Sequence, residues 1–125
     1  NIGDQNLTNP NNYRAIRFAD VLLMAAEAHN QGDGNDVLAR QYLNRVRLRT
    51  TLIDVNVSGS ALTQAIYNER RLELVGEGHH FFDLVRTGRA AQEIEGFSAG
   101  KNELFPIPLV EIQLAGNRWL QNPGY

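Results

Sequence analysis

From Tyr13 to Gln31 the apolar residues Phe18, Val21, Leu22, Ala25 and Ala28 recur at steps of three and four, which predicts a helix burying that one stripe. Gly32 and Gly34 end it. Beyond the QGDGND turn, Leu38, Ala39, Tyr42, Leu43 and Val46 repeat the pattern up to about Arg49, giving a second helix. A loop this short should set the two helices antiparallel. TLIDVNVSGS alternates Ile53, Val55 and Val57 with polar residues, but a lone strand has no partner, so the segment is assigned to a loop. Ser60 can cap a third helix from Ala61 to about Val75, with Leu62, Ala65, Ile66 and Leu74 on one face. Gly76 and Gly78 bracket its end, and a fourth helix from about His80 to Arg86 closes on Gly88.

After Gly88 the periodicity fades. AAQEIEG can add one turn, and LFPIP must be extended because proline disfavours helix in the residue before it. Pro108 then suits the first position of a short helix, LVEIQLA, ended by Gly116, and NRWLQNPGY reads as loop. No stretch recurs at a fixed period. The pattern predicts an all-α chain with long irregular connections. It is divided as a single domain: a lead-in loop at 1–12, a helical core at 13–88, and a loop-rich tail at 89–125 with one short helix.

Composition narrows what such a chain can do. With 125 residues, 42% of them hydrophobic, it can build one modest core. A formal charge of -2 leaves no electrostatic footprint for nucleic acid. Eleven of the twelve cationic residues are arginine and only Lys101 is lysine, a bias toward guanidinium groups that pair with carboxylates. The absence of cysteine excludes disulfides and thiolate metal sites within these residues. The longest apolar run, Val21 to Ala26, is far below the roughly 18 residues that span a bilayer. A beginning at Asn1, without a leader sequence, suggests a fragment of something longer.

The densest chemistry lies in NERRLELVGEGHHFFDLVRTG, from Asn68 to Gly88. On a helix Glu69 and Glu73 share a face, as do Arg70 and Glu73, while Arg71 points elsewhere. Two carboxylates could run acid–base chemistry, but interleaved arginines favour an ion-pair staple instead. Glu27, alone in an alanine-rich helix, is an obvious further partner for Arg70 or Arg71, so Glu27→Ala or Arg70→Ala should unfold the domain.

The metal reading of Glu77, His79, His80 and Asp83 lacks a second ligand pair, since adjacent histidines point to different sides of a helix. GEGHHF places Phe81 where a dinucleotide fingerprint needs glycine, and Val37 and Leu38 spoil a calcium loop begun by Asp33 and Asn35. The triplets NLT at Asn6 and NVS at Asn56 match the glycosylation pattern, which is short enough to arise by chance. Trp119 could stack on a sugar, but its large apolar area makes it the better plug, pinning the tail to the core. No cofactor, no metal and no catalytic residue is assigned, and ligand-binding residues are unknown.

In order and spacing, YRAIRFADVLLMAAEAHN, QYLNRVRLR, AIYNERRLELVGEGHHFFDLVRTG, LFPIPLVEI and a terminal QNPGY resemble the C-terminal region of the SusD/RagB family. His79 and His80, Val85, Thr87 and the GNRWL before QNPGY depart from its usual pattern. The resemblance implies tetratricopeptide-like helix pairs forming the C-terminal part of a larger SusD-like helical fold. It also implies a non-enzymatic outer-membrane lipoprotein on the extracellular face, anchored by a lipid outside these residues. Such a protein, in polysaccharide utilisation, binds an oligosaccharide or other nutrient and delivers it to a TonB-dependent, SusC-like transporter. Family ligand sites lie mostly outside the matched region, so no binding residue is carried over. Two other readings compete: a carboxylate or histidine hydrolase centred on Glu69 to Asp83, and a ligand-free helical interaction domain.

Overall fold

The computed structural model describes residues 15–125. They form six helices and no strand among the described residues: α1 Phe18–Gln31, α2 Asp36–Leu48, α3 Gly59–Glu73, α4 His79–Arg86, α5 Ala90–Glu93 and α6 Leu109–Leu114. The all-α expectation holds. The chain falls into two compact units, one ending at Val75 and one spanning Gly76–Tyr125, a division inside the stretch expected as one helical core. The lead-in loop at 1–12, Tyr13 and the NLT triplet at Asn6 lie outside the described residues.

In the first unit, side-chain contacts fix the helix directions. Arg45, near the end of α2, lies over the Phe18 ring at the start of α1, 5.0 Å from its centroid, while Asn30 at the end of α1 donates to Asp36 at the start of α2. The pair is antiparallel, as the short loop requires. Arg17, just before α1, reaches Glu73 at the end of α3, whereas Asn30 reaches Gly59 and Thr63 at its start, so α3 also runs against α1. The core lies among the three helices, where Leu23, Leu43, Leu62 and Ile66 are fully buried.

Three expectations about these helices are corrected. First, α1 begins at Phe18: Arg17, expected inside the helix, is extended, at φ -108° and ψ 152°, and its guanidinium donates to both the carboxylate and the carbonyl of Glu73. Closing α3's free carbonyl end competes with adding turns to α1. Second, α1 buries Ala19, Leu22, Leu23 and Ala26, while Phe18, Val21 and Ala28 of the expected stripe face solvent. The helix is apolar on more than one side, and periodicity alone does not choose between them. Third, α3 starts at Gly59 and ends at Glu73, and Ser60 is not its cap. Instead the Asp36 carboxylate accepts the Gly59 N–H at 2.7 Å, so a residue of α2 supplies the missing acceptor.

The connection between α2 and α3 is a loop, as read. Its extended backbone is nonetheless paired, because the Asn44 side chain accepts from the Val55 N–H and donates to the Val55 carbonyl, at 2.8 and 3.1 Å. One amide stands in for the neighbouring strand that the sequence lacks.

The second unit is short-helical. α4 starts at His79, one residue before the expected His80, and buries Asp83 and Leu84. Gly88, at φ 70°, lets the Arg89 and Gly88 N–H groups bond back to Leu84 and Val85, closing α4 in a Schellman turn. Gly116 closes α6 in the same way, through Asn117 to Ile112 and Gly116 to Gln113. Trp119 is not a plug: it is 55% exposed. The tail is held by polar clips that do not need the indole. Gln121 accepts the Ile107 N–H and donates to the Ile107 carbonyl, Asn122 donates to Phe105, and the Tyr125 hydroxyl donates to Leu104. Ile107 lies between two prolines and carries the only N–H of that triplet, so Gln121 pairs the one donor available.

Candidate functional site

The charged residues of α3 are the first candidates, and three of them, Glu69, Arg70 and Glu73, meet a partner from outside the helix. Glu69 accepts from Arg47 of α2. Glu73 is held between Arg17 and Arg49. Arg70, 5% exposed, donates to Asp20 of α1 at 2.8 Å. The staple read from the sequence exists, but its struts run between helices and not along α3. Arg71 is exposed, as its position on the helix predicted.

Asp20, Arg17, Arg47 and Arg49 escaped the sequence reading because their pairing spans 22 to 56 positions. The Glu73 carboxyl feels opposed effects: burial pushes it up, while hydrogen bonds and charge from Arg49 and Arg17 hold it below its ordinary value. Asp36 is also held low, by the Gly59 N–H first and the Asn30 amide second. Carboxylates stabilised as anions are acceptors, poorly suited to donate a proton.

In the second unit the Asp83 carboxylate accepts from its helical neighbour Arg86 at 2.8 Å, and the Thr87 hydroxyl donates to the Asp83 carbonyl. His79 is half-buried and His80 exposed on the first turn of α4. Among the described residues no three histidine or acidic groups converge in metal-binding geometry. His29, the remaining histidine, contacts Asp33 through Nδ1 at 2.9 Å and stacks on Tyr42, away from both clusters in sequence.

A cavity of about 640 Å³ lies in the first unit, between the start of α1 and the end of α2. Its floor is apolar, from Ile16, Phe18, Leu22 and Leu48, and its rim carries Arg45 and Arg49. It holds no carboxylate or histidine in its lining, so it offers shape and positive charge but no acid–base pair.

A SusD family model matches residues 1–104. The chain belongs to the SusD family. SusD-like protein P2 of Formosa agariphila is 31% identical over 98% of this chain, and SusD-like protein P25 of the same organism is 38% identical over 79% of it. The crystal structure of a SusD homolog from Bacteroides thetaiotaomicron superposes with a TM-score of 0.78 at 34% identity over 87% of the chain. The match spans 28% and 21% of the two Formosa proteins and 25% of the Bacteroides chain, so it corresponds to about a quarter of these relatives.

Proposed function

We propose that these residues are the scaffold portion of a cell-surface SusD-like lipoprotein that binds a glycan or other nutrient and delivers it to a TonB-dependent, SusC-like outer-membrane transporter. Membership of the SusD family carries the reading. The charged cluster supports binding over catalysis, since Glu69, Glu73 and Asp83 each spend an oxygen on an arginine and a hydrolase needs a carboxylate able to exchange protons. No helix among the described residues is long and apolar enough to cross a membrane.

The test uses the full-length polypeptide tagged in its native host. Recovery of a TonB-dependent transporter with it from outer-membrane extracts, and saturable binding of an oligosaccharide by calorimetry without turnover, are the expected results. Steady hydrolysis that Glu69→Gln abolishes in a folded protein would replace this reading with the hydrolase. Neither transporter nor saccharide, with a different protein recovered, would favour a ligand-free interaction domain.

A further inference from the structure

The turn between α1 and α2 contains the dipeptide Asp33–Gly34, exposed and outside both helices. Aspartate followed by glycine carries its own electrophile and nucleophile: the side-chain carboxyl and the next backbone nitrogen, with no Cβ on the glycine to crowd the approach. Gly34 sits at φ 67°, nothing lies within 4 Å of the place a Cβ would take, and its N–H meets no acceptor among the described residues. The nitrogen is open.

The carboxyl is held. One Asp33 oxygen lies 2.9 Å from His29 Nδ1, and the other accepts the Asn35 N–H at 3.0 Å. An ionised carboxylate only accepts, so Nδ1 carries the proton in this contact. The His29 ring is itself placed by stacking on Tyr42, with centroids 5.7 Å apart and 7° between planes. The hydrogen bond from His29 first, and the Asn35 N–H second, keep the Asp33 carboxyl below its ordinary value. The neutral acid, not the anion, is the form that accepts a nucleophile.

We propose that the Asp33–Gly34 link is a site of spontaneous isomerisation, and that His29 guards it by pinning the side chain. In the reaction the Gly34 nitrogen bonds to Asp33 Cγ, and its proton leaves with the carboxyl hydroxyl as water. The cyclic imide then takes up water at either carbonyl. Opening at Cγ restores aspartate; opening at the main-chain carbonyl leaves a backbone that runs through Cβ and Cγ, one carbon longer, with no net oxidation. The longer link falls at a junction of helices. Asn35 donates to the His29 carbonyl and caps α2 through the Leu38 N–H, and Asp36 accepts from Gly59 at the start of α3. The site is independent of what the protein binds.

The test ages the full-length polypeptide at neutral pH, folded and in guanidinium chloride. The tryptic peptide Phe18–Arg40, which contains no internal lysine or arginine, is then sequenced by electron-transfer fragmentation, which separates the two linkages at residue 33. The isomer should accumulate in the unfolded chain and more slowly in the folded one. His29→Ala, checked for folding by circular dichroism, should raise the folded rate by about fivefold, the scale of one lost hydrogen bond. His29→Gln, whose amide can still donate, should raise it less. No isomer even in the unfolded chain would overturn the site, and equal rates in folded and unfolded chains would overturn the guard. A folded His29→Ala rate equal to or below the parent's would overturn it too, the lower rate making His29 a proton donor to the leaving hydroxyl.

Discussion

Asp20 and Arg70 meet inside the first unit, each below 10% exposure, and removing Arg70 leaves the Asp20 carboxylate buried without its guanidinium. Leaving one buried charge unpaired costs roughly 3 to 5 kcal/mol, so Arg70→Ala should lower the urea-extrapolated stability by about that amount. The double variant Asp20→Leu with Arg70→Met should lose less than the sum of the two single losses, since the pair is removed as a unit. The sequence pointed to Glu27 as a further partner for Arg70 or Arg71; the structure shows Asp20, one heptad earlier on the same helix, as a partner of Arg70 that the sequence reading did not name. Glu73 gives a second, pH-dependent outcome. Its carboxyl is held below its ordinary value of 4.5, so the stability it contributes is complete above that pH and is lost as pH falls through the lower folded value. Denaturation midpoints should therefore fall less steeply between about pH 5 and pH 3 in Glu73→Gln than in the parent. Trp119→Ala, by contrast, should change stability by no more than about 0.5 kcal/mol, the usual scale for an exposed position.

At the scale of elements, irregular backbone is made stable by single side chains. Asn44→Ala removes both partners of the Val55 peptide groups, and Gln121→Ala removes both partners of Ile107. Each substitution should cost about 1 to 3 kcal/mol in local opening, read as faster amide exchange at Val55 or Ile107 with the helix amides unchanged. Helix ends set by local chemistry were legible: Gly88 and Gly116 take positive φ and close α4 and α6 where the sequence placed them. Ends set from a distance were not. The N-terminus of α3 is capped by Asp36 and its C-terminus by Arg17, residues 23 and 56 positions away from their partners, and no local motif announces either.

For the molecule as a whole, the exposed apolar residues of α1 predict a contrast between contexts. Phe18→Ser and Met24→Ser should change the stability of these 125 residues by no more than about 0.5 kcal/mol each, because both side chains are already in water. In the full-length polypeptide the same substitutions should lower the melting temperature by several degrees, as expected for losses of about 1 to 3 kcal/mol when buried side chains are truncated. Equal, small effects in both contexts would show that these side chains stay in water in the full-length polypeptide as well. The sequence by itself determined the helices, most of their local stops, the antiparallel α1/α2 pair and, through ordered motifs, the family. Those depend on periodicity, short loops and glycine, all written within a few residues. Which stripe of α1 turns inward, which carboxylate meets Arg70 and what holds the tail were decided only by tertiary structure. Each is a choice among chemically similar candidates, and the choice belongs to the partner brought alongside by the fold.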